Sequence, residues 1–558
     1  MARPTRYTEQ NIKEFVDRGY WRSETPWGVL DRNALEYPDK EAFVDGRVRM
    51  TWSQAKLWTD RVALGLLELG FTRDEVLANQ LPTSVERILL MVACGKAGVL
   101  GFPVRPPQLR QSDTEHLLKE ITAAGVAIPH VFRARDFVEM VHNIVPGLPM
   151  LRHILVAADE VPAGTVSLRK MAKRPIEMEY SKDVLERSSY QSYDVFVRHT
   201  TGTTGVPKLV ELPIAARMCF SRAYVELLRM TGDDILVCFS AADGGPNAPA
   251  FWASWLVSAK MVFLEEFDEE GALDIIQKER GTIICVVPSH LGLLLEHPSV
   301  RKYDIRSVRS WHSAGSLLPY EIAVKVEEVL GGKITSHYGG AEWGGTSGSS
   351  PDDPRETRFL TVGKPIGGDQ VKLVDGSGRE LPAGGIGEIW VRGPCSTSGY
   401  FRNAAAMDGV WTQDGWCRTG DLGQFDERGN LMIVGRIKDV IIRGGQNVYP
   451  AEVENMLLEH DKVAQVSVVP MPDPVLQEKA CACVVVRGGQ DFSFDEMVDF
   501  MKRRQISSYK IPERLEIVDE IPLVGGLKPD KKALAAMVRL RVEEEIRRAG
   551  GVTPGETE

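Results

Sequence analysis

Residues 74–104 read DEVLANQLPTSVERILLMVACGKAGVLGFPV and indicate the class of fold. A short apolar run leads through a loop into an amphipathic segment of helical length, and a glycine turn then leads into a second apolar run. Two strand-like runs joined by a helix are typical of a βαβ unit, in which the strands are parallel. We therefore predict an α/β fold.

The same alternation returns from residue 234 onward. DILVCFS, MVFLEEF and TIICVVP are strand-like, and segments of helical length lie between them. Strands alternating with helices predict a large domain of mainly parallel sheets flanked by helices, with ligands beyond the carboxyl ends of the strands. The loops that follow strands are therefore where functional residues are expected.

The remaining third of the chain shows a different pattern of predicted elements. From about residue 360 short strands and close turns predict a β-rich subdomain over 360–436, the last part of an N-terminal domain 1–436. Residues 437–545 alternate helices and strands over about a hundred residues, which predicts a small α+β C-terminal domain. Residues 546–558 are charged and glycine-containing, and we expect a disordered tail.

Composition narrows the class of protein. Of 558 residues, 43% are hydrophobic and 26% charged, and the net charge of −10 argues against nucleic-acid binding. Eight scattered cysteines with no CxxC pair predict reduced thiols in a cytoplasmic protein. We expect no signal peptide or membrane span, because Lys96 and Pro103 interrupt the most apolar stretch. The oligomeric state stays open, a homodimer included.

Residues 195–210, VFVRHTTGTTGVPKLV, place hydroxyls and glycines directly after a β-branched run and end on a lysine. Glycines let backbone N–H groups face a ligand, and threonines and lysine add donors and positive charge, which suits a polyphosphate. The spacing is not that of a Walker A loop, because Val206 and Pro207 separate the second glycine from the lysine. A polar surface turn is the simpler alternative, and the terminal lysine disfavours it.

This segment resembles the phosphate loop of the adenylate-forming (AMP-binding) superfamily, which has the form [ST]-[ST]-G-[ST]-T-G-x-P-K. Within that superfamily the chain is similar to acyl- and aryl-CoA ligases, in particular benzoate-type CoA ligases and aryl-acid AMP ligases. The resemblance assigns ATP binding in the loop to Thr200, Thr201, Gly202, Thr203, Thr204, Gly205 and Lys208. It also gives Thr204 and Lys208 a part in catalysis.

Further motifs of the family follow in order along the chain. HYGGAE at 337–342 resembles the motif whose glutamate binds the magnesium of MgATP, which makes Glu342 the metal candidate. The family threonine before that glutamate is Ala341 here, as in dihydroxybenzoate-type relatives. TGDL resembles the motif whose aspartate, here Asp421, binds the ribose hydroxyls, and Arg436 in GRIKD contacts ribose or phosphate. The other nucleotide-binding residues implied are Ser313, Ala314, Gly315, His337, Tyr338 and Gly339.

The C-terminal motifs imply a second half-reaction. Lys438 takes the position of the family's hinge, which implies that the small C-terminal domain 437–545 is mobile. Gly444 and Gly445 take the position of the loop lining the tunnel for CoA. LVGGLKPDKKAL at 523–534 resembles the segment that carries the catalytic lysine, which assigns that role to Lys528. Leu527 replaces the usual glycine before this lysine, and Lys531 and Lys532 remain alternatives.

The acid pocket follows from similarity to halobenzoate-type ligases, which share the EEF of FLEEF. It is expected to consist mostly of small residues, which favours an aromatic or alicyclic acid over a long fatty chain. The residues placed near the acid are Ala223, Asp243, Gly244, Gly245, Ala314, His337 and Gly339.

The resemblance implies a two-step reaction with Mg²⁺ as cofactor and ATP and CoA as co-substrates. A small-molecule carboxylic acid becomes an acyl-AMP with release of pyrophosphate, and CoA then takes the acyl group. Two alternatives stay open: a ligase that loads the phosphopantetheine of a carrier protein, and a non-catalytic nucleotide-binding homologue. Nothing in the sequence favours an oxygenase of the luciferase kind.

Overall fold

The protein is known from a computed structural model that describes residues 6–104, 111–181, 183–199, 208–239, 248–473, 475–524 and 528–548. The βαβ unit forms as predicted: strands Val76–Asn79 and Leu100–Pro103 are parallel neighbours, joined by helix Val85–Ala97. Ser84 caps the start of this helix, and Gly98 ends it in the left-handed conformation.

That helix differs from the prediction in one respect. Every residue of it is buried, so it is not amphipathic. Its charged side chains are paired instead: Lys96 Nζ lies 2.6 Å from Asp31 Oδ1 and 2.5 Å from Asp60 Oδ1. Paired charges allow a polar residue to lie inside, which hydrophobic periodicity alone does not reveal.

A nine-stranded sheet forms the centre of the large domain. Six neighbouring strands in its interior are parallel, and antiparallel strands close both edges, which confirms the predicted α/β class. In spatial order the strands are Lys364–Pro365, Gly344–Gly348, Lys333–Gly340, Ser310–Ser313, Ile283–Val286, Ile235–Cys238, Lys260–Phe263, Glu41–Val44 and Arg49–Thr51.

A second parallel sheet holds the βαβ unit, and helices pack on both sheets. Its strands are, in order, Leu100–Pro103, Val76–Asn79, Ala123–Ile128, His153–Val156 and Val166–Ser167. A short hairpin pairs Val131–Phe132 with Arg135–Asp136. The helices described in this domain are Glu9–Asp17, Pro26–Glu36, Trp52–Glu68, Val85–Ala97, Gln111–Glu120, Phe137–Ile144, Leu168–Lys173, Asp183–Ser188, Ile214–Leu227, Ala248–Leu256, Glu269–Glu279, Pro288–Glu296, Tyr320–Lys325 and Arg355–Leu360.

An antiparallel sheet forms in the part of the chain, from about residue 360, where short strands and close turns were predicted. A four-stranded sheet contains Gln370–Val374, Gly387–Arg392, Cys417–Phe425 and Leu431–Arg436, as expected of the β-rich segment. A three-stranded antiparallel sheet contains Val195–His199, Leu209–Pro213 and Gly399–Tyr400. The predicted phosphate loop therefore connects two strands of a hairpin.

The C-terminal residues form a sheet with its own apolar clusters. Its strands are Gln446–Val448, Ile441–Arg443, Gln477–Val486 and Val463–Asp473, with Arg514–Ile517 parallel to Gln477–Val486. Helices Pro450–Leu458, Phe494–Arg503 and Lys531–Arg548 pack beside them, and Leu523–Val524 pairs with Lys528–Pro529. The last helix includes 546–548 of the predicted tail, and the rest of that tail lies outside the described residues.

Two further predictions concern the whole chain. All eight cysteines are buried and carry no disulfide. Within the described ranges no helix is both long enough and apolar enough to cross a membrane.

Candidate active site

The carboxyl ends of three parallel strands meet at one edge of the nine-stranded sheet. Val286 is in register with Ser313, and Ser313 with Ser336. The N–H of Ala314 donates to the carbonyl of Val286 at 3.2 Å, and Gly315 turns the chain with a φ of 92°. The predicted nucleotide-binding residues Ser313 to Gly315 thus lie beside His337, at the edge where parallel sheets bind ligands.

A glycine hairpin holds the HYGGAE motif. Gly339 pairs with Gly345 and Gly340 with Gly344, and side chains would not fit there. A Cβ on Gly339 would lie 2.6 Å from the carbonyl oxygen of Gly344, and one on Gly345 would lie 1.6 Å from Phe220 Cζ. Close backbone approach therefore requires glycine and fixes the positions of the flanking side chains.

Tyr338, Asp421 and Arg436 form a hydrogen-bonded cluster. The Tyr338 hydroxyl donates to Asp421 Oδ2 at 2.8 Å, and Arg436 Nε donates to Asp421 Oδ1 at 2.9 Å. Burial and the adjacent carboxylate together hold the pKa of Tyr338 well above its usual range. Burial alone would lower the pKa of Arg436, but the ion pair with Asp421 outweighs it and raises that pKa. Each oxygen of Asp421 has a second lone pair for a ligand hydroxyl.

Glu342 and Lys208 are linked through a residue that the sequence did not single out. The Tyr400 hydroxyl donates to Glu342 Oε1 at 3.2 Å, and Lys208 Nζ lies 4.8 Å from the centre of the Tyr400 ring. The Thr397 hydroxyl also donates to the backbone carbonyl of Glu342. No described residue donates to Glu342 Oε2, so this carboxylate fits a hard cation that takes its other ligands from phosphate and water.

Arg198 is a second residue that sequence reasoning missed. Its Nη2 donates to the carbonyls of Gly340 at 3.3 Å and Ala341 at 3.0 Å, so it braces the segment before Glu342. Burial lowers the pKa of Arg198 to about 10, and the charge of Glu342 opposes that shift. A single arginine within the apolar run VFVRH was the available signal.

The predicted acid side of the site is aromatic and rich in histidine. His337 Nδ1 lies 3.1 Å from His312 Nε2 with the two rings parallel, and the Tyr224 hydroxyl lies 3.1 Å from the same nitrogen of His312. Burial lowers the pKa of His312 to about 3 and that of His337 well below its usual range, His312 adding to the latter shift. Both imidazoles are therefore neutral at pH 7.

The other predicted pocket residues are not all placed beside His337. Gly339 and Ala314 lie at the strand ends already described. Ala223 is turned toward Gly367, with its Cβ 3.4 Å from where a Cβ on Gly367 would lie. Asp243, Gly244 and Gly245 fall outside the described residues, as do the loop positions Thr200, Thr201, Gly202, Thr203, Thr204 and Gly205.

The C-terminal candidates lie on two turns and a short strand. Lys438 lies in the 3₁₀ turn Ile437–Asp439, and burial is the first cause of its lowered pKa, followed by the charge of Arg436. Gly444 and Gly445 form a hairpin turn with φ of 55° and 83°. Only the backbone of Lys528 is described. Of the two alternatives, Lys531 Nζ lies 2.6 Å from Glu454 Oε1 within the C-terminal fold.

Comparison with known proteins identifies the family. The profile of the AMP-binding enzyme family matches residues 30–401, and that of the AMP-binding enzyme C-terminal domain matches 452–528. A salicylyl-CoA synthase / salicylate adenylyltransferase of Streptomyces sp is 31% identical over 536 residues, 94% of this chain and 97% of its own. A 2-hydroxy-7-methoxy-5-methyl-1-naphthoate–CoA ligase of Streptomyces carzinostaticus is 31% identical over 539 residues, 94% of each chain.

Solved structures of related enzymes share the fold of this chain. The amide bond synthetase McbA from Marinactinospora thermotolerans superposes with a TM-score of 0.81 at 25% identity, covering 92% of this chain and 100% of its own. The anthranilate CoA ligase AuaEII, solved with anthranoyl-AMP, gives 0.83 at 23% identity over 93% and 98%, and so shares the fold. The chain belongs to the AMP-binding enzyme family. It is an AMP-forming acid–thiol ligase of the acyl- or aryl-CoA ligase type, which confirms the predicted resemblance.

Proposed function

We propose that this ligase activates an aromatic or alicyclic carboxylic acid with ATP and Mg²⁺, and then transfers the acyl group from AMP to CoA in the cytoplasm. The observation that carries the proposal is the pair of polar clusters around Asp421 and Glu342, both supplied in part by the HYGGAE segment. Two relatives named for ring acids, salicylate and a naphthoate, support the class of acid. Eight buried, unbridged thiols suit a reducing compartment.

The adenylation step joins the acid's carboxylate to the α-phosphorus of ATP and releases pyrophosphate. No general base is required, because the carboxylate is ionised at pH 7. Asp421 accepts hydrogen bonds from the ribose hydroxyls, while Arg436 and Tyr338 hold its carboxylate in place. Lys208 and Lys528 neutralise charge on the phosphates and on the reacting carboxylate. Glu342 would hold Mg²⁺, which would supply neutralisation of phosphate charge when bound.

The transfer step places the thiol of CoA against the acyl carbonyl, with AMP as leaving group. The thiol sulfur forms the new bond to the acyl carbon, the bond from that carbon to the phosphate oxygen breaks, and the thiol proton goes to solvent. In this proposal the C-terminal domain turns about Lys438, so that Gly444 and Gly445 approach the pantetheine arm. A Cβ on Gly445 would meet no heavy atom within 4 Å, which leaves room for a ligand there.

A two-stage assay tests the proposal. ATP–pyrophosphate exchange is measured with benzoates, cyclohexane carboxylates and C6 to C16 fatty acids, and thioester formation is then followed with CoA and with a holo-carrier protein side by side. We expect exchange with ring acids and thioester formation with CoA. Exchange confined to fatty acids would refute the class of acid, and acylation of the carrier protein alone would refute CoA as acceptor. No exchange with any acid would favour a non-catalytic nucleotide-binding protein.

A further inference from the structure

Arg217 is a buried cation that the reaction described above does not use. It lies on helix Ile214–Leu227 and is only 5% exposed. Across the described ranges of the chain, no carboxylate pairs with its guanidinium and no acceptor is hydrogen-bonded to it. Burial, reinforced by the charge of Arg198, lowers its pKa to about 9. A buried guanidinium without an acceptor is unfavourable, because its lost hydration is not replaced.

The described residues around Arg217 supply no compensating charge. Those that act on it electrostatically are Arg198, Cys395, Tyr224 and His337. Burial raises the pKa of Tyr224 and of Cys395 well above their usual ranges, so both stay neutral, and the histidine is neutral as well. Arg198 repels it. None of the described residues therefore supplies an acceptor for this guanidinium, and a ligand in the acid pocket would supply one.

One face of the helix brings Arg217 to the predicted acid side of the site. Phe220 and Tyr224, three and seven residues further along, lie on the same face and contact His337, with ring centres 6.4 Å and 5.4 Å away. His312 is fully buried behind His337, whereas His337 is only partly covered. Arg217 therefore lies on the helix face that packs against His337, and its charge acts on that histidine.

A hydrogen-bond network surrounds His312 and reaches His337. Thr335 Oγ1 lies 3.4 Å from the carbonyl oxygen of Trp311, 3.4 Å from Ser310 Oγ and 3.0 Å from His312 Nδ1. His312 Nε2 lies 3.1 Å from the Tyr224 hydroxyl and 3.1 Å from His337 Nδ1. His337 Nε2 lies outside this network, and no described residue is hydrogen-bonded to it; it is an acceptor when His337 carries its proton on Nδ1.

We propose that Arg217 and His337 form a subsite for a hydroxyl substituent on the acid, so that the natural substrate is a hydroxyaryl carboxylic acid. A hydroxyl can satisfy both partners: its oxygen accepts from the guanidinium, and its proton is donated to His337 Nε2 in the tautomer that carries the proton of His337 on Nδ1. An unsubstituted ring leaves both buried groups unsatisfied, and a methoxy group has no proton to donate. This inference rests on the proposed function and specifies its substrate class.

The test compares matched acids in ATP–pyrophosphate exchange: benzoate, its ortho-, meta- and para-hydroxy forms, and the corresponding methoxy forms. We expect at least one hydroxy acid to exceed both benzoate and its own methoxy analogue by about 10- to 100-fold in kcat/KM, because a site built for a hydroxyl rejects analogues that lack it. Equal values for hydroxy acids and benzoate would overturn the subsite and leave the proposed function standing. Exchange with no ring acid would overturn both.

Variants assign the preference to the two residues. Arg217→Gln and His337→Phe are each expected to reduce the preference for the hydroxy acid over benzoate by about tenfold or more. Arg229→Gln, which removes a surface arginine paired with Asp352 just beyond the same helix, is the matched control and should keep the preference. A rise in the KM for ATP that is equal for all acids in Arg217→Gln would assign the guanidinium to the nucleotide and overturn the subsite. If a variant does not fold, the ratio of kcat/KM for the hydroxy acids to that for benzoate in the wild-type enzyme still tests the subsite.

Discussion

Tyr400 connects the two charged groups that the proposed mechanism places around the phosphates. Its hydroxyl donates to Glu342 and its ring lies under the ammonium of Lys208, so two parts of one side chain have separable roles. Tyr400→Phe keeps the ring and loses the hydrogen bond, which we expect to lower kcat/KM for MgATP about fivefold, the equivalent of about 1 kcal/mol. Tyr400→Leu also loses the cation–π contact with Lys208 and should lower kcat/KM for MgATP a further two- to fivefold or so.

Titration of Mg²⁺ and ATP in the exchange assay measures both effects. Tyr320→Phe is the control, because Tyr320 is 42% exposed on a separate helix and should behave like the wild type. Equal values for Tyr400→Phe and Tyr400→Leu would mean that the ring does not position Lys208.

Sequence patterns singled out charged residues of the candidate site but not the residues that orient them. Asp421 and Arg436 were singled out because their motifs are local, and the structure pairs them directly across two strands. Tyr400 was not predicted because it lies 58 residues from Glu342 in the sequence. Its contact with Glu342 depends on the short strand Gly399–Tyr400, which pairs with the hairpin that carries the phosphate loop. Arg217 and His312 were not predicted for a similar reason, because buried polar residues on apolar helices and strands form no recognisable motif in the sequence.

At the scale of elements, the glycine hairpin can be tested by adding one methyl group. A Cβ on Gly345 would overlap the ring of Phe220, which is 1% exposed and packed among other core side chains. We expect Gly345→Ala to destabilise the protein by about 1–3 kcal/mol, the usual penalty of overpacking a core. Thermal and urea unfolding measure the loss.

Gly409→Ala is the matched control for that variant. A Cβ on Gly409 would meet no heavy atom within 4 Å, and its φ lies outside the left-handed region. Its unfolding midpoint should stay close to that of the wild type. Equal midpoints for the two variants would show that the hairpin tolerates a side chain.

Parallel strands and the helices between them were predictable, but their order was not. Alternation of apolar runs and helices predicted the strands at Ile235–Cys238, Lys260–Phe263 and Ile283–Val286. The structure places the first of these between the other two, and Glu41–Val44 from near the N-terminus pairs beside Lys260–Phe263. Such pairings depend on packing between distant segments, which no local pattern encodes.

The turn Ile437–Asp439 connects the four-stranded sheet to the C-terminal sheet, and it is the proposed hinge. Proline fits a 3₁₀ turn, whose φ is near its own, but it removes the freedom to leave that conformation. Lys438→Pro should leave acyl-AMP formation within about threefold of the wild type and slow thioester formation about tenfold or more, because in the proposed mechanism only the second step requires the rotation.

Lys438→Ala is the control for this experiment, since it removes the side chain and keeps the backbone free. Pyrophosphate exchange and thioester release are measured on the same preparations. Equal loss in both half-reactions of Lys438→Pro would refute the hinge.

At the scale of the whole molecule, the two half-reactions should be separable because they need different parts of the chain. The nucleotide clusters lie in the large domain, whereas Lys528 belongs to a C-terminal segment with its own apolar clusters. Lys528→Ala should lower adenylation by about 10²- to 10³-fold, the usual loss when one charge-stabilising donor is removed. Conversion of supplied acyl-AMP and CoA to thioester should persist, because in the proposed mechanism that step does not use the lysine.

Lys531→Ala separates this role from a general effect on the C-terminal domain. Lys531 is paired with Glu454 at 2.6 Å, so its loss should lower the stability of that domain while both half-reactions continue. If Lys531→Ala or Lys532→Ala instead abolished adenylation while Lys528→Ala did not, the catalytic lysine would be misassigned within LVGGLKPDKKAL. Loss of both half-reactions in Lys528→Ala with an unchanged unfolding midpoint would contradict the division of labour between the two domains.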